Sequence, residues 1–285
     1  MVNINSTNIP GSINYSHLKN NPLEENMKFD FHYHDVYEIY FFLSGNVSYV
    51  VESNIYKLKY GDILIMSPNE IHRPFIEDNC VYERIVINFG AQIPQLFSSQ
   101  TTNLLSCFHP ADHDRQNLIR FNESQLKEVI NLFDKIESSI TSKNPYTNVL
   151  ALNSFIELLV LINQAFEGNL ALYRQSNLPK KLSPILQYID KNISNNISVE
   201  HLAEVFHINR SYLTSMFKKS TGASLQEYIL SKKISKAKML LSQGYNVTEA
   251  CYMSGFNDYC HFITIFKKTV GITPLKYRKQ IMQNT

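Results

Sequence analysis

The strongest constraint in this chain is a unit that occurs twice near its C-terminal end. Phe217-Lys218-Lys219, Gly222, Ser224 and Tyr228 return as Phe266-Lys267-Lys268, Gly271, Thr273 and Tyr277, each 49 residues later. A solenoid needs about three or more repeats before its stacked faces close a core. Two copies instead specify one duplicated domain. Each copy reads as an amphipathic helix, a glycine stop, and a Ser or Thr that starts the next helix.

The residues around each copy extend that pattern. A first helix is predicted over 184–191 and a turn over 192–196. Ser198 then caps a short helix with Glu200 and His201 in its first turn and Leu202, Val205 and Phe206 as its buried stripe. After Ile208-Asn209 a second helix runs to about Lys219, with Leu213, Met216 and Phe217 inward. Two short helices across a brief turn make a helix-turn-helix. The outer face of the second carries Arg210, Ser211, Thr214, Ser215 and Lys218, which are hydroxyls, bases and no acid. Such a face fits the major groove of double-stranded DNA.

Gly222 ends that helix, and Ser224 opens a long one reaching about Gln243. Some 20 residues span roughly 30 Å, close to the roughly 34 Å between successive major-groove faces. Lys232, Lys233, Lys236 and Lys238 along it are expected to meet phosphates. From Val247 the pattern restarts. Gly255-Phe256 makes the turn, Asn257 and Asp258 cap, and Tyr259, Cys260, His261, Thr264 and Lys267 face outward over Phe262, Ile265 and Phe266. One chain would then read two consecutive grooves. Charge follows the same division. Residues 178–285 hold 15 Lys/Arg against 6 Asp/Glu, and residues 1–177 hold 12 against 19, so the overall +2 hides a basic half and an acidic half.

The acidic half has a different texture. From Phe29 to Phe89, short runs of aromatic and β-branched residues alternate with turn signals such as Ser44-Gly45-Asn46 and Tyr60-Gly61-Asp62, the pattern of a sandwich or barrel. Residues two apart on a strand share a face, so His32, His34 and Glu38 are expected to point together, with His72 beside them. Imidazoles converging on a carboxylate can hold a divalent transition metal. They can equally line a polar pocket as hydrogen-bonded groups, and the residues leave both readings open. Tyr37, Tyr40, Phe42 and Tyr49 would fill the barrel or stack on a sugar.

Residues 1–26, rich in Asn and Ser, read as a loose arm. Residues 123–166 switch to helical period. One helix ends at Asn144-Pro145; a second runs from about Thr147 to Gly168 and is apolar around most of its girth. It must be covered on two sides: the barrel can be one, and the other is a second copy, which predicts a homodimer, or further parts of the same domain. Residues 169–181 lack a period and read as a linker. His109, His113 and Cys107 read as a polar loop. No run of about 18 apolar residues signals a membrane span. Four cysteines without a CxxC, and a polar N-terminus, place the chain in a reducing cytoplasm.

Two resemblances join these readings. The run His32-x-His34-x3-Glu38-x6-Gly45 is similar to the first cupin motif, and Gly61, Pro68 and His72 approximate the second. Ala250, Gly255-Phe256, Phe262, Phe266-Lys267-Lys268, Gly271, Thr273-Pro274 and Tyr277-Arg278 resemble the signature of AraC/XylS-family transcriptional regulators, over about residues 180–280. Cys260 and His261 depart from it, where Ser and an aromatic are usual.

The resemblance implies an α+β protein. A cupin-like β-barrel with two helices (1–168) and a linker (169–181) precede an all-α domain (182–285) of two helix-turn-helix motifs joined by a long helix. It implies a transcription regulator rather than an enzyme, in the bacterial nucleoid, with RNA polymerase as a further partner. Base contacts would fall at Ser211, Thr214, Ser215, Cys260 and Thr264. A small effector, a sugar or related metabolite, would sit at His32, His34, Glu38, Tyr40 and His72, with a divalent metal as the one cofactor the pocket suggests. The competing reading is a metal-dependent cupin enzyme with an accessory helical domain; the second reader and the charge split disfavour it.

Overall fold

The computed structural model describes residues 2–9, 13–21, 29–109, 116–144, 146–169, 182–195 and 197–283. Its first half is built on two antiparallel sheets. The larger has the order β1 (Val2–Ile9), β2 (Ile13–Asn20), β8 (Tyr82–Phe89), β3 (Tyr37–Ser44), β6 (Ile63–Met66), β9 (Leu118–Ile119). The smaller has the order β5 (Asn54–Lys57), β4 (Val47–Val51), β7 (His72–Ile76). Two helices, α2 (Glu123–Thr141) and α3 (Thr147–Asn169), follow; a short α1 (Gln92–Leu96) precedes them.

The alternation along β3 sorts the core. Tyr40 and Phe42 point between the sheets, where they meet Tyr49, Tyr56, Met66 and Tyr82. Tyr37, Ile39 and Phe41 point the other way, onto α2 and α3, with Phe41 and Phe133 stacked at 4.5 Å. Tyr37 therefore belongs to the helix-facing core and not to the barrel interior. The outer face of the smaller sheet is covered in turn: Val50, Ile55 and Ile71 pack into the same apolar cluster as Leu186, Leu213 and Tyr228.

The second half is helical: α4 (Leu182–Asn192), α5 (Val199–Val205), α6 (Arg210–Thr221), α7 (Leu225–Ser242), α8 (Val247–Met253), α9 (Tyr259–Val270) and α10 (Pro274–Gln283). The 49-residue repeat holds in three dimensions. Leu213 and Phe262 are fully buried, as are Phe217 and Phe266. Gly222 and Gly271 both take left-handed backbone, φ 72° and 85°, at the ends of α6 and α9. There the missing Cβ permits what an L side chain resists.

Four expectations change. The N-terminal arm is not loose over its described residues. β1 and β2 form a hairpin, and β2 pairs with β8 from Ile13↔Phe89 to Asn20↔Tyr82. Its Asn-rich sequence has low strand propensity, and an existing sheet edge supplies the pairing. Val205 is exposed, at 38 %, because α5 buries Val199 and Leu202 instead. The helix α3 is long and apolar enough to cross a membrane, with a mean hydropathy of 1.7. It lies with Ala151, Phe155, Leu158 and Ile162 in the barrel-side core and with Asn153, Glu157 and Gln164 exposed. The fourth concerns the lysines of α7, described below. The predicted linker, apart from residue 169, lies outside the described residues, and so does His113.

Candidate functional site

Helices α6 and α9, predicted to read DNA, are set by their own caps. Asn209 accepts from the backbone N–H of Ser211 at 2.8 Å and so starts α6. Asp258 accepts from His261 N–H at 2.7 Å and starts α9. With Leu213 and Phe217 inward on α6, Arg210, Ser211, Ser215 and Lys218 are exposed and Thr214 is half-buried. On α9, Tyr259, Cys260, His261, Thr264 and Lys267 are exposed, and Asn257 sits just before the cap.

The two threonines behave alike. Thr214 Oγ1 donates to Arg210 O at 3.0 Å, and Thr264 Oγ1 donates to Cys260 O at 2.9 Å. With that donor turned back into the helix, each threonine offers outward a methyl and oxygen lone pairs. A methyl suits thymine and a lone pair suits a base amino group. Arg210 pairs with Glu200 at 2.9 Å on the surface. Tyr212, half-exposed beside these residues, and Lys219 and Lys268 at the ends of the reading helices add to this face. The charge count pointed to such lysines without distinguishing them.

The α7 lysines correct the sequence reading. Lys232 lies between Glu52 and Asp190 (2.7 Å). Burial works against its charge, but the two carboxylates together hold its pKa above the ordinary lysine value. Lys233 donates to Gly255 O at 2.7 Å, Lys236 to Ser194 Oγ at 2.5 Å and Lys238 to Asp35 Oδ1 at 2.5 Å. These lysines fasten the connecting helix to the rest of the molecule; they do not line a phosphate track. A cleft of about 350 Å³ lies between the two helix-turn-helix units, bordered by Ser198, Gln226, Lys233 and Phe256.

In the barrel half, the structure brings His34, Glu38 and His72 together, with one ligand atom from each lying within 4.8 Å of the others. Glu38 is buried on β3, and His34 Nε2 is 2.7 Å from Glu38 Oε2. His34 Nδ1 lies 2.9 Å from Val36 O, a carbonyl that only accepts. An ionised Glu38 accepts from Nε2 at this distance, so the two contacts together favour the doubly protonated ring. In agreement, the Glu38 contact overcomes burial to raise the His34 pKa, and His34 lowers that of Glu38 against the same burial cost.

His72 is the opposite case. Burial pushes its pKa down to about 3. Its Nδ1 lies 2.9 Å from Glu70 O, so the lone pair sits on Nε2. That Nε2 is fully buried and has no hydrogen-bond partner, 4.0 Å from Glu38 Oε2. A buried lone pair without a donor costs free energy, so this edge of the cluster suits a ligand donor or a metal ion. Two imidazole nitrogens and a carboxylate oxygen fit zinc and its neighbours, provided that His34 gives up its Nε2 proton.

His32 and Tyr40 stand differently. His32 is exposed and stands edge-on to His72 at 4.3 Å, outside the close triad. Tyr40 is buried, with its hydroxyl 2.7 Å from that of Tyr82 and its ring 4.7 Å from Tyr49. It packs against Tyr49, whose ring in turn lies 6.2 Å from that of His72.

Comparison with known proteins follows the same division of the chain. Residues 24–142 match the family described as AraC-like ligand binding domain, and residues 202–280 match the family described as helix-turn-helix domain. The chain is 25% identical over 255 residues to the HTH-type transcriptional activator RhaS of Enterobacter sp. (strain 638), covering 87% of each. It is 26% identical over 254 residues to the Msm operon regulatory protein of Streptococcus mutans, covering 88% of this chain and 86% of that one. Among solved structures, the C-terminal domain of the response regulator yesN from Fusobacterium nucleatum aligns at 36% identity and TM-score 0.33, covering 33% of this chain and 94% of that one. ToxT from Vibrio cholerae O395 aligns at 15% identity and TM-score 0.36, covering 95% of this chain and 98% of that one.

Proposed function

The chain belongs to the AraC family of transcription regulators, and on that premise we propose that α6 and α9 read two consecutive major grooves of one DNA site under control of a small effector at the His34–Glu38–His72 cluster. The observation that carries this reading is the pair of equivalent reading helices at the two ends of α7. Each has a capped start, a glycine stop and an outer face of hydroxyls and bases. The 18 residues of α7 correspond to about 27 Å of rigid helix.

Polar groups beside the rings of Tyr49 and Tyr40 suit a hydroxyl-rich ligand such as a sugar or a related metabolite. The orphaned His72 Nε2 favours a second occupant, a divalent metal held by His34, Glu38 and His72. Residues 1–168 would sense and dimerise, residues 182–285 would bind DNA, and RNA polymerase would receive the output. The dimer surface would be the uncovered side of α3, where Tyr146, Val149 and Leu150 are 78%, 66% and 59% exposed.

A genome-wide map of the tagged protein tests the reading. A few sharp peaks, each protecting two blocks about 10 base pairs apart on one face of the duplex, are expected. Uniform coverage with the protein well expressed would overturn it.

A further inference from the structure

Residues 31–34 run as a strip between the two halves of the molecule, and the chain bends at Asp35. His32 exchanges backbone hydrogen bonds with His72, at 3.1 and 2.9 Å, and the alternation of extended chain then divides the side chains. The even-numbered ones face the cluster: His32 stands against the His72 ring at 4.3 Å, and His34 bonds Glu38 at 2.7 Å. The odd-numbered ones face the connecting helix. Phe31 meets the Tyr228 ring at 5.4 Å, Tyr33 lies 4.4 Å from the Lys238 ammonium, and Asp35 accepts from that ammonium at 2.5 Å. Tyr228 and Lys238 are ten residues apart on α7, or about 15 Å. Three extended steps from Phe31 to His34 cover about 10 Å, and the bend at Asp35 carries its carboxylate to Lys238. The strip thus lies along the helix.

We propose that the strip Phe31–Asp35 is the coupling element of this molecule, its even side chains sensing the state of the His34–Glu38–His72 cluster and its odd side chains transmitting it to α7 and thereby to both reading helices. The proposal rests on the regulator reading above. Tyr33 and Asp35 are joined to His34 by single peptide units, and the backbone on either side is held by the His32–His72 pair and by Asn69 N–H on His34 O at 2.8 Å, so a ligand that moves His34 also moves Tyr33 and Asp35. The receiving side is sensitive to such movement. Lys238 is 7% exposed and has Asp35 as its carboxylate partner; the Tyr33 hydroxyl is buried without a hydrogen-bond partner. A small displacement therefore loosens a buried ammonium on α7. A second fastening, Glu52 to Lys232, lies off the strip and holds the helix while the strip moves.

The test perturbs the cluster without a ligand. Amide hydrogen exchange of the full chain is compared for wild type, Glu38→Gln, Tyr33→Leu/Asp35→Asn, and the triple combination. Glu38→Gln is expected to speed exchange about tenfold in the strip and in α7, the scale of one lost charged hydrogen bond. In the Tyr33→Leu/Asp35→Asn background the strip should still respond to Glu38→Gln and α7 should not. An α7 response of equal size in both backgrounds, or none in either, would overturn the proposal. Should Glu38→Gln fail to fold, His34→Gln removes the same contact from its more exposed side. Affinity for the mapped DNA site is read separately. Its loss with the exchange coupling intact counts against the regulator reading and not against the strip.

Discussion

His207 and Gly255 occupy the same place in the two helix-turn-helix units, two residues past the ends of α5 and α8, and both hold positive φ, 51° and 85°. The turn requires left-handed backbone, and the second unit meets it with glycine. The first meets it with an exposed histidine, at about 1 kcal/mol. His207→Gly is expected to stabilise the full chain by about that amount, read as a higher denaturant midpoint at constant slope; an unchanged midpoint would refute it.

His72 gives the second residue-scale prediction. Its pKa is pushed down to about 3 by burial, against an unfolded value of about 6.5. Between those values the unfolded chain binds a proton that the folded chain refuses, so its contribution to stability is lost as pH falls through that window. His34 is shifted the other way, so the contribution is isolated by difference. In metal-free protein, the stability of wild type relative to His72→Gln should fall by about 2 kcal/mol from pH 7 to pH 5. A constant difference would mean that His72 titrates alike in the folded and unfolded chains, and a rise would mean that the folded protein holds the proton.

Elements were legible wherever their causes lie within a turn or two of chain. The caps at Ser198, Ser224 and Asp258 and the glycine stops at Gly222 and Gly271 stand where the sequence places them. So do the inward residues Leu213, Phe217, Phe262 and Phe266. Once the inward face of a helix is fixed, its outward face follows, which is why the outward residues of α6 and α9 could be named. The same geometry predicts a contrast. Thr214→Val and Thr264→Val keep the methyl and lose the oxygen, so each should weaken binding to the mapped site by about 1–3 kcal/mol while leaving random duplex unaffected. Lys218→Ala and Lys267→Ala should weaken both and reduce the salt slope by about 1 each. Filter binding across salt concentrations separates the two patterns; equal loss of both duplexes for the threonine variants would remove them from base reading.

At the scale of the molecule, α7 is the beam to which everything else is fastened. Glu52 sits at the tip of the β4–β5 hairpin with φ 51°, strained for a glutamate. It receives Lys232 on its carboxylate and the Tyr228 hydroxyl on its carbonyl at 3.1 Å. Lys232→Met would leave Glu52 and Asp190 facing each other without a cation. That should cost about 3–5 kcal/mol, with part recovered by adding Glu52→Gln; full additivity in equilibrium unfolding would deny the coupling. The exposed side of α3 carries the quaternary prediction. Val149→Asp with Leu150→Asp should convert a dimer to a monomer in sedimentation at micromolar concentration, and a wild type already monomeric would remove α3 as an interface.

The sequence by itself determined the duplicated helical domain, its caps and stops, the outward faces of α6 and α9, the barrel strands and the meeting of His34 and Glu38. All of these rest on spacing within a helix turn, a strand pleat or a repeat. Tertiary structure decided where distant surfaces meet. The arm became strands because the edge of β8 was free to pair. The α7 lysines turned inward because Glu52, 180 residues away from Lys232, and Asp35, 203 residues away from Lys238, came to lie beside them. A lysine's local pattern is the same whether its partner is a phosphate or a carboxylate from a distant part of the chain. Only the packing of the two halves buries Lys232 and Lys238 and brings those carboxylates within reach of them.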